Sequence, residues 1–373
     1  VRIASQIIFS KKVMNCPNIV IIHKEQPIRV SGPAGGAEMA TRWLGSYLAK
    51  SGKQVVLAGL LSDPEQIHEG VTYWSYGSAY DIDGIIERAS RRFANFHLIA
   101  TGRAIPLLFA RRYPQVGAKI LISHDRSAGD AGVSLSVVSA VADKILSVSE
   151  AHRAELINAG GSSGKIEVIY NGVDFDTFTV GSPEHRDWRK IVFAGALVQD
   201  KGLHLLLQAY ANLKPVYPEI SLDIYGSADL WGRAPIFDTA LLESQLPGVK
   251  FFGAVPQSQL AAGFRAAGIC VFPSIWFETF GLSSVEAQAS GCPVVAFNVG
   301  GVREGMIPGE SGILVDEISV DALTAALKYL LSDPVLLQRM SVRAAAHVRE
   351  RFSWEMVAQR VIRACDAAVI GRN

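Results

Sequence analysis

Apolar residues come along this chain in short unbroken runs, set between longer stretches with helical spacing. Residues 18–22, 54–58, 97–100, 119–123, 144–148 and 166–170 read as strands in the first half. Residues 190–194, 221–225, 249–252, 269–272 and 293–297 read as strands in the second. Runs that are apolar on both faces suit parallel sheets covered by helices on each side. Residues 39–50, 82–93, 203–213, 282–289 and 322–331 carry the helical patterns between and after them. The pattern predicts an α/β chain of two doubly wound units, each taking its ligand at the carboxyl ends of strands. Asn171-Gly172-Val173-Asp174 is a turn signal that opens the connection, giving a first domain over 1–178 and a second over 179–353.

Composition agrees with this and narrows the function. At 373 residues and 40.2 kDa, the chain is long enough for two cores. With 49% hydrophobic and 19% charged residues it is globular, not disordered. A net charge of +1 lends no support to nucleic-acid binding. Residues 1–178 carry 19 Lys/Arg against 16 Asp/Glu, and residues 179–353 carry 14 against 17. That small excess would suit an anionic acceptor or a membrane surface on the first half. Arg88, Arg91, Arg92, Arg111 and Arg112 are the basic residues to watch there, with solvated helix faces as the plainer reading. Cys16, Cys270, Cys292 and Cys365 are too scattered for a metal site and read as buried thiols of a reducing compartment. No run is long enough to span a membrane and no signal-peptide pattern is read, so a cytoplasmic location is expected.

Some motifs match by letters only. Gly160-Gly161-Ser162-Ser163-Gly164 has the spacing of a nucleophile elbow, but it joins a helix to a strand instead of a strand to a helix. Asp81-Ile82-Asp83 reads as a helix N-cap, and Asp174-Phe175-Asp176 lies in the interdomain turn. No G-x-G-x-x-G follows the first strand and no G-x-x-x-x-G-K-[ST] occurs, which removes the main support for dinucleotide redox and P-loop chemistry.

Glu278-Thr279-Phe280-Gly281-Leu282-Ser283-Ser284-Val285-Glu286 is the most informative segment. It reads as a loop from a strand into a helix, with one carboxylate at its start and a second a turn inside the helix. The helix N-terminus between them offers backbone N–H groups to a phosphate. Two hydroxyl acceptors around an anion cradle are what a sugar nucleotide requires. The alternative is a capping box, in which Glu286 only closes its own helix and Glu278 is a solvated acid. Gly32-Pro33-Ala34-Gly35-Gly36-Ala37-Glu38 places adjacent glycines before a helix, where the backbone can approach an anion; a plain connector is the alternative. Gly195 to Gly202 repeats the arrangement in the second half, with Lys201 placed to neutralise a diphosphate or to lie solvated in a turn. His124 follows a strand at the ligand-binding sheet edge, where a functional and a structural role both stay open.

Together these segments resemble the retaining glycosyltransferases of family 4, which have the GT-B architecture of two facing Rossmann-like domains. The resemblance rests on Gly35-Gly36-Ala37-Glu38, His124, Val148-Ser149-Glu150, residues 169–174, Gly195 to Gly202, and the paired glutamates around Phe280-Gly281. It implies His124, Glu278 and Lys201 as catalytic residues. Glu278 would hold donor-sugar hydroxyls, Lys201 the diphosphate, and His124 would contact the sugar near the reacting carbon. It implies donor contacts at Gly35, Gly36, Gly226, Val255, Phe280, Gly281, Leu282 and Ser283, with Glu286 on the ribose. The stretch from Ser353-Trp354 onward resembles the terminal helix that crosses back to the first domain. One departure is Ala196, where many members carry an Arg; Arg126 and Arg303 are the candidate substitutes.

The function implied is retaining transfer of a hexose, glucose first, from a UDP-sugar, with a GDP-sugar behind. The acceptor would be a saccharide or a lipid-linked glycan in polysaccharide or glycoconjugate synthesis, with no metal and no cofactor. Work on a lipid-linked acceptor implies peripheral association with the inner face of the membrane. A sugar-nucleotide epimerase or hydrolase of the same architecture, and a non-catalytic sugar-nucleotide-binding subunit, stay open as alternatives.

Overall fold

The computed structural model describes residues 18–23, 27–76, 81–125, 133–229 and 233–371. Its strands are β1 (Asn18–His23), β2 (Val55–Gly59), β3 (Gln66–His68), β4 (Val71–Ser75), β5 (Phe96–Thr101), β6 (Val116–Ser123), β7 (Lys144–Ser147), β8 (Ile166–Val168), β9 (Asp187–Ala194), β10 (Ser221–Tyr225), β11 (Val249–Gly253), β12 (Ala267–Phe272), β13 (Val294–Phe297) and β14 (Gly312–Val315). The α-helices are α1 (Gly36–Lys50), α2 (Ile82–Arg92), α3 (Ile105–Ala110), α4 (Leu135–Val141), α5 (Glu150–Asn158), α6 (Leu203–Leu213), α7 (Thr239–Gln245), α8 (Gln257–Ala266), α9 (Leu282–Ala289), α10 (Val320–Leu331), α11 (Pro334–Arg351) and α12 (Trp354–Ile370).

Two separate sheets result. The first has the order β3-β4-β2-β1-β5-β6-β7-β8, and the second β11-β10-β9-β12-β13-β14. Every pairing is parallel except β3 with β4, an antiparallel hairpin at one edge. The doubly wound architecture expected from the unbroken apolar runs is therefore present in both halves. In β5 all six residues are buried, as a strand covered on both faces requires. Helices α2, α3 and α4 pack on one face of the first sheet, while α1 and α12 cover the other. The second sheet is covered by α6, α10 and α11 on one face and by α8 and α9 on the other.

Helix α12 does return to the first sheet: Trp354, Val357, Ala358 and Val361 pack with Ala40, Leu44 and Leu48 of α1. The chain crosses between halves twice, and the crossings touch. Val173 donates its N–H to the carbonyl of Phe352 at 2.8 Å, and a Cβ on Gly172 would lie only 2.6 Å from the Trp354 nitrogen. Only glycine fits so close an approach.

The sequence reading did not place β3, β4 and β14, nor α3, α4, α7, α8 and α11, the last of which opens on Pro334 at its first turn. The turn over residues 160–164 joins α5 to β8, as its context indicated, so no nucleophile elbow forms. Asp81 stands at the N-cap of α2, but its side chain accepts no capping hydrogen bond, so that reading holds for position only. Cys270, Cys292 and Cys365 are buried free thiols; Cys16 lies outside the described residues. Among the described residues, no helix is long and apolar enough to cross a membrane.

Candidate functional site

The site is assembled where two strand-to-helix loops of the second sheet meet. After β9 the chain makes a 3-10 turn, Gln199–Lys201, and enters α6 through Gly202 at φ 68°. After the neighbouring strand β12, residues 273–281 lead into α9. A Cβ on Gly202 would lie 1.8 Å from the Pro273 carbonyl oxygen, so glycine is obligatory there. Ile275 donates its N–H to the Asp200 carbonyl at 2.9 Å. These backbone contacts hold Lys201 against the Glu278 loop.

Lys201 Nζ reaches Glu278 Oε1 at 2.5 Å. Both side chains are largely buried, 13% and 8% exposed, so the contact is a sheltered ion pair and not a screened surface one. The same oxygen also accepts from Ser274 Oγ at 2.5 Å and from Trp276 Nε1 at 2.8 Å. The Glu278 backbone is fixed as well. Gly301 donates its N–H to the Glu278 carbonyl at 2.7 Å, and a Cβ on Gly300, at φ 54°, would lie 2.0 Å from that oxygen. Glu278 is thus no solvated loop acid.

Helix α9 begins at Leu282 with Gly281 as N-cap at φ 88° and no side-chain cap. Ser283 Oγ donates to the Ala194 carbonyl at 3.0 Å and Ser284 Oγ to the Gly281 carbonyl at 2.7 Å. The capping-box alternative is thereby corrected: the helix is capped at Gly281, so Ser283 lies inside it and caps nothing, and Glu286 sits fifth in the helix, too far along to reach back. Glu286 is buried, and its carboxyl is pushed up to about 8 by burial first and by the Asp174 charge second. A carboxyl group kept out of water in a helix whose N-terminus has no side-chain cap suits paired hydroxyls and a phosphate.

The first half contributes two edges. His124 directly follows β6, and its carbonyl accepts the Thr279 hydroxyl at 2.7 Å. Its Nε2 is sheltered from solvent with no hydrogen-bond partner among the described residues. Burial, with some help from His152 and against Asp125, lowers its pKa to about 4, so the imidazole is neutral at pH 7. Gly35 and Gly36 form the N-cap and first residue of α1, without a side-chain cap. A Cβ on Gly36 would meet nothing within 4 Å, so local packing does not explain that glycine.

Other expected residues fall in less direct places. Gly226, at φ 130°, is needed because a Cβ there would lie 1.8 Å from the Gly195 carbonyl oxygen. Val255 lies between β11 and α8, next to Gln257, whose Oε1 accepts from Trp43 Nε1 of α1 at 3.1 Å. The Phe280 ring is buried against Tyr170 and Phe352, at 6.0 and 5.5 Å, which leaves its backbone as what it offers a ligand. Ala196 is buried. Arg303 is exposed in the 3-10 turn Gly300–Gly305, and Arg126 lies outside the described residues. The basic residues of the first half are mostly engaged. Arg88 makes two bonds to Glu65 and lies 4.1 Å over Trp74, Arg91 pairs with Glu87, and Arg112 with Asp83.

Ser274, Trp276, Thr279 and Glu304 were not singled out from sequence. The Glu304 carboxylate accepts from the N–H groups of Glu150 and Ala151 at 2.7 and 2.9 Å, closing the N-terminus of α5 from the other half. A signal existed for two of the four: Ser274, Trp276 and Glu278 alternate, and alternate residues of an extended segment face one way.

Residues 34–177 match the model for Glycosyltransferase Family 4, and residues 175–347 match Glycosyl transferases group 1. The D-inositol 3-phosphate glycosyltransferase of Segniliparus rotundus is 34% identical over 217 residues, covering 56% of this chain and 48% of that protein. The glycogen synthase of Mycobacterium tuberculosis is 30% identical over 220 residues, covering 58% and 52%. The chain spans about half the length of these curated relatives. Sucrose-phosphate synthase from Thermosynechococcus elongatus superposes with a TM-score of 0.78 at 20% identity, covering 95% of this chain and 100% of that one. Anabaena HepE in complex with UDP-glucose gives 0.76 at 20%, covering 94% and 99%. The chain therefore has the GT-B fold, with a first segment that matches the Glycosyltransferase Family 4 model and a second that matches Glycosyl transferases group 1.

Proposed function

We propose that the protein transfers a hexose, glucose first, from a UDP-sugar to a saccharide or lipid-linked acceptor, with retention of anomeric configuration. The observation that carries this reading is the sheltered ion pair of Lys201 with Glu278, three residues before the Gly281 N-cap of α9, together with buried Glu286 inside that helix, which has no side-chain cap. Cation, helix end and two carboxylates supply one partner for each part of a sugar nucleotide. Glu278 takes the sugar hydroxyls, Glu286 the ribose hydroxyls, and Lys201 with the N–H groups of Gly281, Leu282 and Ser283 the diphosphate. Gly35 and Gly36 approach it from α1. Gly226 and Val255 border the base. The UDP-glucose held by HepE supports the choice of donor.

Charge develops on the diphosphate as the glycosidic bond breaks. Lys201 and the helix N-terminus stabilise that charge more in the transition state than in the ground state. Ala196 leaves Lys201 as the principal side-chain cation of the loop. Closure of the cleft excludes water from the oxocarbenium-like sugar. His124, neutral and with an unpartnered Nε2, contacts the sugar near the reacting carbon. The acceptor attacks from the face that the diphosphate leaves, and Glu278 orients the sugar without bonding to it. A lipid-linked acceptor would bring a cytoplasmic enzyme to the inner face of the membrane.

Calorimetric titration with UDP, GDP, UDP-glucose and GDP-mannose, with and without EDTA, on wild type and Glu286→Ala tests the reading. Metal-independent UDP binding that Glu286→Ala weakens is the expected result. Binding of GDP alone changes the donor; binding of none overturns the assignment. Release of UDP without transfer to any saccharide acceptor would favour a hydrolase.

A further inference from the structure

Glu278 Oε1 accepts from three donors at once: Lys201 Nζ and Ser274 Oγ at 2.5 Å, and Trp276 Nε1 at 2.8 Å. Among the described residues, no hydrogen bond reaches Oε2. A carboxylate oxygen has two lone pairs, so three donors oversubscribe it. The donors also differ in what else they can do. Ser274 is buried at 1% exposure and held between the two loops, its Oγ also lying 3.2 Å from the Asp200 carbonyl of the loop that carries Lys201. Trp276 has a rigid side chain whose only donor is Nε1–H. Lys201 has a flexible stem, three N–H donors and a full charge, and its ammonium lies 5.2 Å above the Trp276 ring.

We propose that Ser274 and Trp276 are positioning residues that hold Glu278 by Oε1, so that Lys201 can pass to the diphosphate while Oε2 stays aimed at the donor-sugar hydroxyls. The inference rests on the sugar-nucleotide reading of the site. In the free protein Lys201 and Glu278 neutralise each other, which lowers the cost of keeping both charges sheltered. An arriving diphosphate competes for Lys201. With Lys201 gone, a carboxylate lacking other donors would be left undercompensated and free to turn. Two neutral, geometrically fixed donors prevent this, and they act only on the acid that meets the sugar. Their loss therefore separates sugar recognition from nucleotide recognition.

The test uses Trp276→Phe, which keeps an aromatic ring and removes the N–H, and Ser274→Ala. Binding of the bare diphosphate and of its sugar is measured for each, with UDP against UDP-glucose, or GDP against GDP-mannose if wild type binds those. Release of the nucleoside diphosphate from the sugar nucleotide into water gives kcat and KM without a known acceptor. Expected is nucleoside-diphosphate affinity within about twofold of wild type, with sugar-nucleotide affinity or kcat/KM lower by about tenfold or more, the scale of a hydrogen bond to a charged group. Unchanged sugar-nucleotide binding and turnover in both variants would overturn the proposal. So would equal loss of nucleotide and sugar nucleotide, which marks a collapsed loop. Should Trp276→Phe melt early, Ser274→Ala decides alone. If wild type binds neither nucleotide, the functional reading itself fails, a result obtained before any variant is made.

Discussion

Thr279 donates its hydroxyl to the carbonyl of His124 at 2.7 Å, tying the loop that carries Glu278 in the second half to the end of β6 in the first. The backbone that carries His124 is thereby tied to the residue next to Glu278, joining the segments that bear two candidate catalytic residues of opposite halves. Thr279→Val keeps the shape and removes the donor. UDP affinity should stay near wild type, while kcat falls by roughly tenfold as the His124 strand end loosens, in keeping with the cost of one broken, partly buried hydrogen bond. Steady-state kinetics on the sugar nucleotide check it; equal kcat would show that the bond carries no catalytic alignment.

Glu286 links donor binding to protons. Its carboxyl sits at about 8 in the folded protein, raised by burial and then by Asp174, against 4.5 as the ordinary value. Two ribose hydroxyls are best accepted by the carboxylate, so UDP binding at pH 7 should release a proton. Calorimetry in buffers of different ionisation enthalpy reads this directly. A binding enthalpy independent of buffer would remove Glu286 from the ribose contact.

The same shift sets a stability trend. A carboxyl with a raised folded pKa stabilises fully below its unfolded value, and that contribution is lost as pH rises from about 4.5 through 8. Glu286→Gln abolishes the loss. Its melting temperature should exceed that of wild type at pH 9 by more than at pH 5, for an energy on the order of several kcal/mol. Equal differences at the two pH values would count against a buried, protonated Glu286.

His23 behaves in the opposite sense. Burial, then the nearby His124, lowers its pKa to about 3, and its Nδ1 lies 2.9 Å from Thr101 Oγ1. The unfolded chain takes up a proton near 6.5 that the folded chain refuses, so stability declines as pH drops from 6.5 toward 3. Urea unfolding of His23→Gln should flatten that decline, and an unaltered slope would assign it to other groups.

Gly202 and Gly300 hold Lys201 and Glu278 in place through backbone contacts of 1.8 and 2.0 Å to an added Cβ, both at positive φ. Gly202→Ala and Gly300→Ala should each cost at least about 1 kcal/mol of stability and abolish measurable donor binding. Thermal melts and UDP titration on the two variants provide the check; wild-type binding in either would mean the loops tolerate displacement.

Most of the architecture could be read from the chain, because fully buried parallel strands leave unbroken apolar runs such as Ile19 to Ile22. Hairpin strand β3 has two exposed residues among three and leaves no such mark. Within the site, Lys201, Glu278 and Glu286 lay in recognisable strand-loop-helix segments. Sequence could not show that Lys201 and Glu278 touch, since β9 and β12 become neighbours only through sheet order. Thr279 and Glu304 were out of reach for the same reason: each partner lies in the other half, and no local spacing encodes a contact between halves. The capping-box alternative for Ser283 to Glu286 fails because it needs Ser283 as N-cap, whereas the N-cap is Gly281.

The paired crossings at Val173 and Phe352 also limit how this molecule can move. Two chain segments bonded to each other at one place behave as a single axle, whereas two well-separated connections would let the halves slide apart as rigid plates. A rotation of the halves about that point would leave the paired crossings intact. In such a rotation the travel of any group would grow with its distance from the axle, so groups beside it would stay in register while those furthest out would sweep widest.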